Sequence, residues 1–67
     1  MTYPKGEMVW TSYYNLSHEL LFIITIKPTR DFYFLYEFVD GVFKKVGKSK
    51  SPAELERKFK VHEKMIE

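Results

Sequence analysis

The sequence contains no cysteine, and only three glycines and three prolines in 67 residues. Without cysteine no disulfide can stabilise the fold, although a chain of this length is near the limit at which one hydrophobic core is sufficient. The longest uninterrupted apolar run, Leu20 to Ile24, is too short to span a membrane, and the N-terminus does not follow the pattern of a secretory signal. We therefore expect a cytoplasmic protein with no membrane partner.

The composition is that of a folded chain. Hydrophobic residues make up 45%, aromatic residues 18% and charged residues 30% of the sequence, which is too apolar and aromatic for a disordered protein. No repeat or linker divides the chain, so residues 1–67 are expected to form a single small domain. The net charge of +2 is unevenly distributed, because positions 44–67 hold eight Lys or Arg residues against four Glu.

Four segments have the composition of β-strands. They are rich in β-branched and aromatic residues and are separated by turn-forming residues. Asp40-Gly41 lies between two of them and is typical of a type I′ hairpin, because both central residues of that turn need positive φ. The predicted strands are residues 7–16, 20–27, 32–39 and 42–47.

The hairpin predicts a register for the last two strands. Val39 should lie opposite Val42, Glu37 opposite Lys44, and Leu35 opposite Val46. The charges of Glu37 and Lys44 would then form a cross-strand ion pair.

A helix is predicted from residue 52 to about residue 66. Ser51 is in the N-cap position, Pro52 in the first helical position, and Glu54 where a capping box requires an acid. The apolar stripe of this helix is Leu55, Phe59, His62 and Ile66. The predicted fold class is α+β, a four-stranded antiparallel meander followed by one C-terminal helix packed on one sheet face.

Alternation divides the last two strands into two apolar faces. The aromatic face carries Phe32, Phe34, Tyr36, Phe38 and Phe43, and the aliphatic face carries Tyr33, Leu35, Val39, Val42 and Val46. One helix covers roughly half of one face, and we expect it on the aromatic face. The aliphatic face would then be open, unless the sheet curls into a partial barrel that buries both faces.

An open apolar face indicates a binding partner, most simply a second copy of the chain. The predicted protein-binding residues are those of the aliphatic face together with two aromatic anchors. They are Tyr33, Leu35, Val39, Val42, Val46, Trp10 and Tyr13.

No residue pattern indicates catalysis, a metal or a cofactor. His18 lies in a predicted turn, and His62 has no ligand at a spacing of three or four along its helix. The glycines are isolated and form no phosphate-binding loop. We therefore expect no enzymatic activity, no metal and no cofactor.

A nucleic-acid interface is the alternative. The basic residues that could contact phosphates are Lys44, Lys45, Lys48, Lys50 and Arg57. Residues 30–59 also resemble, in the order of their elements, the small N-terminal DNA-binding domains of some tyrosine recombinases, in which aromatic strands, a glycine hairpin and a basic strand precede a helix begun by Ser or Thr. That resemblance implies a DNA partner, although this chain offers few basic side chains to a groove.

Two functional hypotheses follow. The first is a small non-catalytic protein-interaction module, a regulator or inhibitor of a larger protein, which also forms a homodimer. The second is a nucleic-acid-binding domain that uses the basic hairpin and the loop at residues 44–50 together with the helix.

Overall fold

The computed structural model describes residues 3–29 and 31–66. It confirms the α+β class and the four-stranded antiparallel sheet, in which the strands follow one another in the order β1-β2-β3-β4. Strands β1 and β4 are therefore the two edges of the sheet. The elements are β1 Met8–Tyr14, β2 Leu20–Ile26, β3 Tyr33–Val39, β4 Val42–Ser49, α1 Pro52–Lys58 and α2 Val61–Met65.

The predicted hairpin joins β3 and β4. Asp40 and Gly41 have φ of 52° and 80°, as a type I′ turn requires. The predicted register is confirmed from the Val39–Val42 pair to the Tyr36–Lys45 pair. Beyond it, Leu35 lies opposite Gly47 and not opposite Val46. A β-bulge in β4 inserts one residue at this point and shifts everything beyond it.

The bulge brings Gly47 directly beneath the ring of Phe59. A Cβ atom at position 47 would lie 2.5 Å from Cε2 and 2.7 Å from Cζ of that ring. Glycine is therefore required here for close packing and not for its backbone freedom. The recess above Gly47 seats the end of α1 on the sheet.

The predicted single helix is two short helices. Helix α1 ends at Lys58 with Phe59 as its C-cap, and Lys60 adopts a left-handed conformation with φ of 53°, which changes the direction of the chain before α2. The predicted apolar stripe is consequently wrong beyond Phe59, because Val61 is buried while His62 and Ile66 are exposed. An apolar stripe predicted from one continuous helical period does not apply beyond a residue with a left-handed backbone, because the helix is interrupted there.

The start of α1 also differs from the predicted capping box. Ser51 is the N-cap residue but makes no side-chain capping bond. The Glu54 carboxylate instead accepts a hydrogen bond of 2.9 Å from the hydroxyl of Ser49, which in turn accepts one of 3.1 Å from the Ser51 N–H. Ser49 is one of the few buried polar residues, and this network satisfies its hydroxyl.

The helices pack against the aliphatic face of the sheet and not, as expected, the aromatic face. Leu55 of α1 and Val61 of α2 share a buried cluster with Leu35. The expectation is wrong because the recess at Gly47 opens on the aliphatic side. The rest of this cluster consists of Tyr13, Phe22 and Ile24, with Leu21, Tyr33, Val46, Phe59 and Met65 at its border.

A second buried cluster lies on the opposite face, around Ile23, Phe34 and Tyr36. Neither α1 nor α2 contributes to this cluster, yet Phe34 and Tyr36 are less than a tenth exposed. They are covered by lysine side chains and by the segment that precedes β1, as described below. The sheet therefore buries more apolar surface within one copy than alternation and one helix predict.

Candidate interaction surfaces

Strand β1 is an edge strand without a charged residue. Its sequence is MVWTSYY, and four of its large side chains are exposed to solvent: Met8, Val9, Trp10 and Tyr14. The other edge, β4, carries three lysines within VFKKVGKS. Lysines on an edge strand discourage pairing with another sheet, and their absence leaves the backbone donors and acceptors of β1 available.

A groove opens beside β1 on the helix side of the sheet. It has a volume of about 260 Å³ and is lined by Met8, Trp10, Ile26 and Tyr33. The Trp10 and Tyr33 rings meet edge to face, with centroids 5.5 Å apart and an interplanar angle of 73°. The groove is apolar and large enough for one aromatic or branched side chain.

A bulge in β1 accompanies the groove. Val9 pairs with Thr25 and Thr11 with Ile24, so Trp10 is the extra residue in the ladder. Trp10 is 55% exposed although its indole contacts Tyr33. Tryptophan is one of the residue types enriched among those that contribute most to binding at the centre of protein interfaces.

Tyr13 of β1 is held by the helices and is not part of this surface. Tyr13 is buried, and its hydroxyl donates to the Glu56 carboxylate of α1. Burial, with the adjoining Glu56 carboxylate, raises the pKa of Tyr13 well above its usual value. His62 Nε2 lies 3.4 Å from the same carboxylate, so Glu56 joins both helices to the edge strand.

The helix-free face forms the second candidate surface. We call it the lysine–aromatic face and define it by Phe32, Phe34, Tyr36, Phe43 and the four lysines Lys27, Lys45, Lys48 and Lys50. The Lys45 ammonium lies 4.4 Å from the centroid of the Phe34 ring, and that of Lys27 lies 5.2 Å from the same centroid. Lys48 and Lys50 lie 5.0 and 5.9 Å from the centroid of Phe32.

The segment before β1 crosses the same face. The Tyr3 ring stacks on Phe43 at 5.1 Å. The Glu7 carboxylate accepts hydrogen bonds from the Thr25 hydroxyl at 2.5 Å and from the Tyr36 hydroxyl at 2.9 and 3.0 Å. Burial, together with this carboxylate, raises the pKa of Tyr36 to about 12.

The predicted protein-binding residues do not form one exposed surface. Leu35 and Tyr13 are core residues, because the helices cover the aliphatic face on which they lie. Tyr33, Val39 and Val46 are half-buried. Only Val42 and Trp10 of the predicted set are largely exposed, and they belong to opposite edge strands.

Sequence reasoning missed Met8, Val9 and Ile26 as candidate site residues. A signal for the first two was present, because a meander places its first strand at an edge and residues 8–14 contain no charge. Ile26 gives no such signal, because an isoleucine in an apolar strand is typical of a core residue. It is 9% exposed in the structure.

The predicted nucleic-acid residues are divided between the two sides of the sheet. Lys45, Lys48 and Lys50 reach the lysine–aromatic face. Lys44 pairs with Glu37 in the ladder as predicted, although the structure contains no ion pair within 4 Å between their side chains, and both lie on the helix side. Arg57 is an exposed residue of α1. Sequence reasoning did not include Lys27.

Comparison of the chain with protein-family models, with curated proteins and with solved structures finds no match. Over residues 3–29 and 31–66, no helix is long and apolar enough to cross a membrane. Within the same residues, no three His, Cys, Asp or Glu side chains are grouped so that they could hold a metal ion.

Proposed function

We propose that the chain is a non-catalytic protein-interaction module that pairs with a second copy of itself through β1. In this dimer the two β1 strands run antiparallel and extend the two sheets into one. The observation that carries the proposal is the contrast between the edges: β1 is uncharged and exposes four large side chains, whereas β4 carries lysines.

Pairing at β1 would give the outward backbone groups of this strand hydrogen-bond partners and would also cover its exposed apolar side chains. The outward backbone groups of β1 exchange water for a partner strand, at a net gain of about 0.5–1.5 kcal/mol for each hydrogen bond. Antiparallel pairing also brings the Met8 end of one strand beside the Tyr14 end of the other. The exposed apolar side chains of both copies then cover one another, and Trp10 beside its groove supplies a central anchor.

Two matched substitutions test the proposal. Val9 and Val42 are both exposed valines on edge strands, 42% and 56% accessible. We expect Val9→Lys to weaken the dimer at least tenfold, because a lysine on β1 protects that edge as the natural lysines protect β4. Val42→Lys should leave the dimer unchanged.

The measurement is the solution mass over a range of micromolar concentrations, by sedimentation or light scattering. The chain has a mass of 8.1 kDa, so a dimer is twice that, about 16 kDa. Circular dichroism melts of both variants establish that each is folded. A wild-type chain that stays monomeric at 100 µM, or a Val42→Lys variant that dissociates as readily as Val9→Lys, would contradict the proposal.

A further inference from the structure

The four lysines of the lysine–aromatic face converge on one strip of the sheet. Phe34 lies opposite Lys48 and Tyr36 lies opposite Lys45 in the β3–β4 ladder. Lys50 follows β4, and Lys27 follows β2 on the other side of β3. The Phe34 and Tyr36 rings of β3 are therefore flanked by lysine ammonium groups on both sides.

The lysines of this strip have no direct ion-pair partner among the described residues. The four ammonium groups have no carboxylate within 4 Å in the part of the chain that the structure describes. Glu7 is the acid whose carboxylate contacts this face; it accepts hydrogen bonds from the neutral hydroxyls of Thr25 and Tyr36 and keeps its charge, so the strip has four positive charges against this one negative charge. The stems of the four lysines cover apolar surface, while their ammonium groups leave a net positive charge on this face, which favours an anionic ligand.

The aromatic rings between the lysines favour an anionic ligand that also carries flat groups able to stack on a ring. Phe32 is half-buried at one end of the strip, and the groups recorded over its ring are the flexible ammonium groups of Lys48 and Lys50, whereas Phe43 at the other end already stacks on Tyr3. Proteins that bind single-stranded nucleic acid combine a basic track for the phosphates with aromatic rings on which unpaired bases stack. A duplex presents phosphates to the lysines, but its bases are paired and stacked inside the helix and cannot stack on the Phe32 ring.

We propose that the lysine–aromatic face binds single-stranded nucleic acid. The ammonium groups of Lys45, Lys48 and Lys50 contact successive phosphates, with Lys27 across the strip. Lys48 and Lys50 move from the Phe32 ring to the phosphates, and a base takes their place on the ring. This surface is separate from the β1 edge and does not depend on self-association.

The test uses the full-length chain and a fluorescently labelled oligothymidine of twelve nucleotides, with binding followed by anisotropy at several salt concentrations. Four phosphate contacts on a single strand predict a slope of log K against log salt of about −3, since each contributes about 0.7. Affinity should then fall about 50-fold between 50 and 200 mM salt. The triple variant Lys45→Gln, Lys48→Gln, Lys50→Gln should lose about 2 from that slope.

A second triple variant, Lys44→Gln, Lys60→Gln, Lys64→Gln, is the matched control, because it removes the same charge from the helix side of the molecule. Its salt slope should be that of the wild type. Phe32→Leu keeps every charge but removes a stacking ring, and we expect it to weaken oligothymidine binding at least about fivefold. Thermal melts show whether each variant is folded.

Several outcomes would overturn the proposal. They are an absence of binding at 50 mM salt, equal losses in the two triple variants, and a Phe32→Leu variant that binds as the wild type does. Binding of a twelve-base-pair duplex or of polyphosphate as tight as that of oligothymidine would show that bases are not recognised, and would replace nucleic acid with a general polyanion. None of these results bears on the mass measurement that tests the dimer.

Discussion

Replacing Gly47 with alanine is expected to destabilise the fold through one contact. The new Cβ would lie 2.5 Å from the Phe59 ring, whereas carbon atoms at optimal separation are about 3.5 Å apart or more. The ring must therefore move by about 1 Å. Overpacking of this kind costs about 1–3 kcal/mol, and the reduced freedom of the unfolded chain returns about 0.4–1 kcal/mol.

The net loss should be about 1–2 kcal/mol, which lowers the melting temperature of a domain this small by about 4–16 °C. Urea unfolding of four proteins measures it: wild type, Gly47→Ala, Phe59→Leu and the double variant. Because leucine has no ring atoms at the clashing position, Gly47→Ala should cost almost nothing in the Phe59→Leu background.

Gly41→Ala is the control for this cycle. Gly41 has φ of 80° and no atom within 4 Å of an added Cβ, so its cost arises from the backbone alone and should be the same with either residue at position 59. The reasoning is refuted if Gly47→Ala is as destabilising beside leucine as beside phenylalanine.

Two further predictions concern the core and the Glu7 network. Leu55→Ala should lower the free energy of unfolding in urea by about 2–5 kcal/mol, since Leu55 is 1% exposed, whereas Leu16→Ala at a site 73% exposed should change it by less than about 0.5 kcal/mol. The raised pKa of Tyr36, about 12 against 10.0 when unfolded, stabilises the fold fully below pH 10 and loses that contribution as the pH rises towards 12. Glu7→Gln should lower this pKa in a tyrosinate absorbance titration and flatten the pH dependence of the urea midpoint over that window; an unchanged profile would show that Glu7 has no part in it.

Local patterns in the sequence predicted the sheet well. Alternation and the Asp40-Gly41 turn fix strand pairing because both depend on neighbouring residues. The prediction failed at Leu35, where a bulge inserts one residue. It failed again at Lys60, whose left-handed backbone separates α1 from α2. Neither departure has a strong local signature, since lysine is uncommon at positive φ and Gly47 is needed for a contact with the distant Phe59.

The choice of sheet face could not be read from alternation. Alternation separates two apolar faces but does not show what covers each one. The aromatic face is covered by lysine stems and by Tyr3 and Glu7, which come from the other end of the chain. The interaction edge at β1 was predicted only in part. Trp10 was among the predicted binding residues, but the absence of charge in its strand was not recognised as a signal.

The unequal edges also limit how far an assembly can grow. Each copy has one edge suited to pairing, and joining two copies uses both of these edges together. Strand β4 of each copy then forms the two outer edges of the joined sheet, and its lysines discourage pairing with a further sheet. In the proposed dimer, association would therefore end at two chains, and the exposed β1 strand would not lead to fibres as long as the opposite edge carries its lysines.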